Sequence, residues 1–349
     1  MHASHKLYSN TARMCANHVY MNFDLLAADW LRFIRGRRSQ RGFSKRLGYR
    51  SNIAYRWESG ICFPTAAETF SLARRTAAEE ARALDAFYGS SARTGGIALD
   101  TKQGIARLLG DLRGKTSLVE LARRSGYSRF SISRWLGGGA EPRLPEFLAV
   151  VEAATFRVLD FLAQFVDPEK LPSVAGEWRV LEAARKSAYD VPWSHAVLRA
   201  LELTDYAKLD AHRAGWIAAR LGISREEEER CLSTLSAARQ IRMHERRWVL
   251  DHTQTVDTRA DPSRGRKVKA EWLRVALARL ESGVAGTFGY NVMAISRADL
   301  ARLKELHLAY FRNMQALVTD SAPSECVVLF NTELFALDAH AGEAVTAPR

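Results

Sequence analysis

The chain has no CxxC pair, no apolar run long enough to span a bilayer and no histidine spacing suited to a metal ion. Each absence removes a class of protein. Cys15, Cys62, Cys231 and Cys326 lie far apart, so neither a zinc ribbon nor a disulfide framework is expected, and a reducing, cytoplasmic setting fits. Without an apolar stretch of ~18 residues or a lipidation signal, no membrane partner is expected. Residues 1–20 carry His, Ser, Asn and Arg where a secretory signal has its apolar core, so residues 1–22 are expected to be a disordered extension. Gly137-Gly138-Gly139 follows a helical pattern and has no Lys-Ser or Lys-Thr after it, so it reads as a loop and not as a phosphate cradle. His195, His212 and His307 sit in amphipathic helical patterns and are expected to be ordinary surface or half-buried residues. No catalytic residue, metal or cofactor is assigned, and the expectation is a binding protein, not an enzyme.

Acidic residues are also scarce, but only locally. Residues 31–60 hold nine Lys or Arg against the single acid Glu58, within a 349-residue chain of formal charge +12 and pI about 9.8. Such a concentrated positive field reads first as a nucleic-acid footprint. The length calls for several modules, because single cores stop growing near ~250 residues.

Helical periodicity runs from Phe23 to about residue 167, broken by Gly, Pro and Ser. The predicted divisions are 23–95, 96–166, a linker or helix over 167–191, a module over 192–258, another over 259–338 and a small polar tail over 339–349. The polar stretches 89–96 and 167–176 mark two boundaries, and 251–265 reads as an exposed connection. In the third module, Ser224 with Glu227 three residues on opens a capped helix. The alternating run Ile241–Leu250 then predicts a strand pair. Beyond it come a helix over Val268–Leu280, a strand-like run to Ile295, a long helix opened by Ser296, and a second strand-like run from Glu325.

The stretch GYRSNIAYRWESG at 48–60 returns as GYSRFSISRWLGG at 126–138. A shift of 78 places Arg35, Gly36, Ser39, Arg46, Gly48, Tyr49, Arg56, Trp57, Gly60 and Pro64 on Arg113, Gly114, Ser117, Arg124, Gly126, Tyr127, Arg134, Trp135, Gly138 and Pro142 without a gap. In each copy a helix ends at Gly48 or Gly126, as a left-handed cap requires. After a short turn, a second helix sets Ala54 and Trp57, or Ile132 and Trp135, on one apolar face. Two short helices so joined make a helix-turn-helix, a shape that offers its second helix to the major groove.

The first copy resembles the lambda-repressor-like (Xre-type) family of bacterial helix-turn-helix domains, through Leu31-Arg32, Ser39-Gln40, Leu47-Gly48, Glu58-Ser59-Gly60 and Pro64. That resemblance implies a helical bundle and a buried Arg35–Glu58 ion pair. By position in the motif, Ser51, Asn52 and Arg56 are the expected base readers of the first unit, and Arg129, Phe130 and Arg134 those of the second. Asn suits adenine, Arg suits guanine, and Phe130 could meet a thymine methyl. Arg37, Arg38, Ser39, Gln40, Arg41, Lys45, Arg50, Tyr55, Ser128 and Ser133 are the expected phosphate or sugar contacts, with Ser39 and Ser128 also capping their helices. Trp57 and Trp135 belong in the core. The second unit departs from the pattern, with Leu136 where the acid should be and Leu118 in place of Gln40.

Residues 192–250 read as a winged helix, but one whose second helix opens Ser-Arg-Glu-Glu-Glu-Glu and would be repelled by phosphate. A spacer or protein-contact role is expected there, with Arg242, Arg246 and Arg247 on the wing as the residues that could still meet phosphate. Through Glu325-Cys326-Val327-Val328-Leu329 and Leu334-Phe335-Ala336-Leu337, the region 190–338 also resembles an uncharacterised bacterial domain that often follows helix-turn-helix units. The expected fold class is mainly α: tandem helix-turn-helix bundles, a winged helix, then a small α/β domain for assembly or sensing. The expected function is sequence-specific regulation of transcription. Its partners are double-stranded DNA, a second copy bound through the C-terminal region, and an unknown peptide or small-molecule effector. The two units would form a pseudo-dimer, with recognition helices about one DNA turn, ~34 Å, apart. An antitoxin-like or architectural protein, and an enzyme regulated by its DNA-binding half, are the competing readings.

Overall fold

The computed structural model describes residues 21–73, 75–88, 97–251, 256, 258, 261–319 and 321–337. Most of the expected N-terminal extension, the polar stretch 89–96 and the tail 339–349 lie outside the described residues. Among those described, the fold is mainly α, with seventeen α-helices and one two-stranded antiparallel sheet.

Each repeat forms five helices. The first has α1 (Phe23–Arg35), α2 (Gln40–Arg46), α3 (Ile53–Glu58), α4 (Ala66–Ala73) and α5 (Ala77–Tyr88). The second has α6 (Lys102–Arg113), α7 (Leu118–Ser125), α8 (Arg129–Leu136), α9 (Leu144–Thr155) and α10 (Val158–Ala163). Local chemistry sets the boundaries. Ser39 Oγ accepts the Gly42 N–H at 3.0 Å and Ser117 Oγ accepts the Glu120 N–H at 3.1 Å, each cap worth about 1 kcal/mol. Gly48 and Gly126 turn the chain at φ of +83° and +76°, a conformation that a Cβ resists.

The repeats do not form separate cores. Ala66 N donates to Pro142 O at 3.0 Å, and Leu144 N donates to Pro64 O at 3.0 Å. Because 64 and 142, and 66 and 144, are equivalent positions, the contact is reciprocal, as a local twofold axis requires. The helices obey the same symmetry: α1 packs on α9 of the other repeat, its counterpart α6 packs on α4, and α4 meets α9 near the axis. Arg75 reaches the carbonyls of Gln164 and Phe165 at 2.8 and 2.9 Å, and Arg157 returns to Phe87 O at 3.2 Å. Trp30, Phe70, Phe147, Phe161 and Phe165 pack ring against ring, edge-on or tilted, through the shared centre, Phe70 and Phe165 with ring centroids 5.2 Å apart. The expected division at 95/96 therefore separates the repeats along the chain but not in packing.

Residues 175–190 are more than a linker. They form α11 (Ala175–Asp190), whose Leu181 closes the first core and whose buried Arg185 is ion-paired with buried Asp160. This helix also packs on the elements that follow.

The second core gathers α12 (Trp193–Ala200), α13 (Thr204–Ala207), α14 (Trp216–Leu221) and α15 (Arg225–Ala237) with β1 (Ile241–His244) and β2 (Arg247–Leu250). The expected strand pair forms, in the register Ile241↔Leu250 to His244↔Arg247. Glu245 and Arg246 take positive φ at its tip, matching the twist of a two-residue hairpin.

The expected small α/β domain over 259–338 is corrected. Its first helix, α16 (Pro262–Glu281), begins earlier than predicted, at an Asp261 cap that accepts the N–H groups of Ser263 and Arg264. The next, α17 (Arg297–Thr319), follows the Ser296 cap. The strand-like runs ending at Ile295 and starting at Glu325 form no strand among the described residues. Alternating apolar residues favour a strand only where a neighbouring backbone completes the ladder, and among the described residues neither run has one.

Candidate nucleic-acid interface

The two repeats fix their turns in the same way. The Tyr49 ring meets Trp57 edge-on at 5.9 Å and 83°, and Tyr127 meets Trp135 at 5.4 Å and 72°. Trp57, Trp135, Ala54 and Ile132 are buried, which gives the two tryptophans the expected core role. Each helix α3 and α8 is thereby held by its inner face. Its outer face carries Tyr55 and Arg56 in one copy, and Arg129, Phe130, Ser133 and Arg134 in the other, all exposed.

In the first repeat, Ser39, Arg37, Arg38, Arg41, Lys45, Arg46, Arg50 and Ser51 are exposed on one continuous stretch. Among the described residues, Arg37, Arg41, Lys45, Arg46, Arg50 and Arg56 form no ion pair. These six, with Arg38 held only by a 3.5 Å bond to Arg35 O, create a field that survives to about a Debye length, ~8 Å at physiological salt.

Two of the expected contact residues are engaged internally. Gln40 Nε2 donates to Glu58 Oε2 at 3.0 Å, and Asn52 Oδ1 lies 3.2 Å from Ser44 Oγ. Ser44 in turn donates to Gln40 O at 2.7 Å and accepts the Ala54 N–H at 3.1 Å, locking α2 to α3. Both side chains are half-buried, so they hold α2 against α3 and present only an edge to the outside.

The pair implied by resemblance is present: Arg35 Nε and Nη2 meet Glu58 Oε1 and Oε2 at 2.5 and 3.0 Å. Burial opposes ionisation of Glu58. The hydrogen bonds from Arg35 and Gln40, with the charges of Arg35 and Arg32, outweigh it and hold the carboxyl below its ordinary value. Arg35 also donates to Arg38 O. The equivalent Arg113 donates to Thr116 O at 2.8 Å, so the arginine kept in both copies has one shared task, to anchor the turn. Where the first copy adds Gln40 and Glu58, the second packs Leu118 and Leu136 against its core. The missing acid is a substitution of one solution for another.

The second repeat is less positive. Arg123 and Arg124 are both taken by Glu120, at 2.5 and 2.6 Å, and these guanidinium groups lower that carboxyl to about 2. Ser128 Oγ accepts the Ser131 N–H at 3.1 Å, as its capping role requires. Phe130 is 71% exposed and the Arg134 guanidinium stands over its ring at 5.6 Å. The two expected readers thus form a single amphipathic unit, a cation laid on an exposed ring.

The run Glu226 to Glu229 divides. Glu228 is 1% exposed, and its carboxylate accepts the Gly215 and Ala218 N–H groups at 3.1 and 2.5 Å, which caps α14. His212 stands 3.5 Å from the same carboxylate and bonds Tyr206 Oη through Nδ1 at 3.1 Å. Tyr206 Oη accepts the Trp248 N–H at 3.2 Å, so this polar chain fastens the hairpin to the helices. Glu226 and Glu229 remain outward. Sequence reasoning missed the Tyr206–His212–Glu228 chain; only the 3.6-residue period, which turns one residue of any four inward, pointed to it. Buried Cys231 has its thiol pushed up to about 12 by burial, which leaves it unreactive.

Among the described residues, no group of three or more His, Cys, Asp or Glu side chains could hold a metal ion, and no helix is long and apolar enough to cross a membrane. Residues 174–337 match a family model described as a domain of unknown function (DUF4423). No curated protein matches the chain. No solved structure matches it either.

Proposed function

We propose that the protein is a sequence-specific DNA-binding regulator of transcription whose two repeats are helix-turn-helix units arranged as a built-in pseudo-dimer. The reciprocal bonds of Ala66 with Pro142 and of Leu144 with Pro64 carry this reading. They relate α3 and α8 by a local twofold, the relation that two recognition helices need to enter successive major grooves from one side. Ser51 and Arg56, with the outer edge of half-buried Asn52, read one half-site, and Arg129, Phe130 and Arg134 the other. Arg37, Arg38, Ser39, Arg41, Lys45, Arg50, Tyr55, Ser128 and Ser133 hold phosphate or sugar. Gln40 acts from behind, by orienting Glu58.

Because one scaffold carries two different outer faces, a single chain prefers a non-palindromic site. The weaker field of the second repeat makes its half-site depend more on base and methyl contact and less on charge. Residues 192–258 act as a winged-helix-like spacer or protein-contact module, with Glu226 and Glu229 keeping α15 away from phosphate.

Selection of bound sites from random double-stranded DNA tests the proposal. Two unlike half-sites about one helical turn apart are the expected result; no enrichment, or a single short half-site, defeats it.

A further inference from the structure

Nineteen of the twenty-seven exposed large apolar side chains among the described residues lie between Leu273 and Leu337. They are ordered along two helices. On α16 and just beyond it, Leu273, Leu277, Leu280 and Val284 recur at alternating steps of four and three. On α17, Leu303, Leu306, Tyr310, Asn313 and Leu317 recur in the same way. This is the spacing of a helix seam, apolar at both positions of the heptad and with one amide inside it, the arrangement that specifies register between paired helices. Yet among the described residues the two helices share at most a marginal contact with each other. Each reaches instead toward the segment 324–337, through Asn331 Nδ2 to Trp272 O at 3.2 Å and through the Tyr310 and Phe330 rings at 5.7 Å. That segment is anchored to the second core by Thr204 N to Ser324 O at 2.8 Å.

We infer that this face is a subunit interface occupied by a second copy of the same chain, with α16 and α17 of each protomer forming a four-helix seam and the runs 288–295 and 325–337 pairing alongside it. The inference is independent of the DNA-binding reading. Its area is sufficient: at roughly 150 Å² for a fully exposed large side chain, the nineteen present well over ~1,000 Å² per chain, against about 800 Å² per partner in a stable complex. A patch of that size is not left open on a monomer. Residues 338–349 are small and polar and residues 1–20 hold only scattered apolar side chains, so neither has the composition of an apolar cover. Each helix stripe runs only about two heptads, too short to pair alone, so the helices and the extended runs act together. Those runs explain themselves in the same way. Tyr290 is 96% exposed within an alternating apolar stretch, which has the form of a strand awaiting its neighbour.

The test is sedimentation velocity of the full-length protein at micromolar concentration, with amide hydrogen exchange on the same samples. The expected result is a particle of twice 39.1 kDa, with amides of 288–295 and 325–337 protected. Leu277→Glu and Leu306→Glu are 54% and 64% exposed in the chain, so each should keep its helical circular dichroism. Each should weaken association by about 100-fold or more, because the interface would bury an unpaired charge. Leu25→Glu, on the exposed side of α1, should leave the dimer intact. A wild-type monomer would assign the face to a different protein and overturn the inference, as would a dimer that both variants leave unchanged.

Discussion

Ala66 and Leu144 occupy the same place in two copies of one repeat, and each gives its backbone N–H to the carbonyl of the proline that precedes the other by two residues, at 3.0 Å in both directions. One internal duplication has thereby become one symmetric body. The first consequence is cooperative. Phe147 lies at the shared centre with no exposed surface, and Phe147→Ala should cost about 3–5 kcal/mol. Hydrogen exchange should show that loss in both repeats together, in α1 as much as in α9. Loss confined to the second repeat would mean two cores.

The Arg35–Glu58–Gln40 cluster predicts an asymmetric response. Glu58→Gln leaves the half-buried Arg35 guanidinium without its charge partner and should destabilise by about 1–3 kcal/mol. Gln40→Leu with Glu58→Leu copies the second repeat, where Arg113 is satisfied by a carbonyl, and should cost less than the single change. The sign with pH follows from the lowered carboxyl. Its stabilisation is present above the ordinary carboxylate range and is lost as pH falls through the folded value. Urea titrations at several pH values should show this acid sensitivity in the wild type and its absence in the double variant.

Glu228 and its neighbours should separate cleanly. Glu228→Ala orphans the N–H groups of Gly215 and Ala218 and should cost about 1–3 kcal/mol. Glu226→Ala and Glu229→Ala, both outward, should stay within about 0.5 kcal/mol. Thermal unfolding of the three variants decides it, and equal effects would remove the capping role.

What was legible in the sequence was whatever the local chain decides. Gly48, Tyr49 and Trp57 announce a turn and an inward aromatic, and their echo at 126–135 needs no tertiary information. The caps at Ser39 and Ser128 are readable for the same reason. The reciprocal pairing at Pro64 and Pro142 was not, because it depends on which surfaces meet. Gln40 and Asn52 were placed outward by motif position, whereas Glu58 and Ser44, contributed from elsewhere in the fold, draw them in. The strand-like runs near Tyr290 and Val328 show the opposite failure: alternation states a preference for a sheet but not where the second strand comes from.

Acid should loosen the second core. Burial, and then the charge of Arg199, lowers the His195 imidazole from its ordinary 6.5 to about 4. Above 6.5 both folded and unfolded chains hold it neutral. Between 6.5 and 4 the unfolded chain takes the proton first, so stability falls with pH, by at most ~1.4 kcal/mol per unit. His195→Gln should flatten that slope in chemical-denaturation curves; an unchanged slope would place the sensitivity elsewhere.

Under the proposed reading, one scaffold recognises two different half-sites. Footprinting of wild type, Arg56→Ala and Arg134→Ala on the selected DNA tests it most directly. Each variant should lose about 1–3 kcal/mol of affinity and relax preference at its own base position, one in each half of the site. Loss of preference at the same position in both variants, or no change in either footprint, would contradict the account.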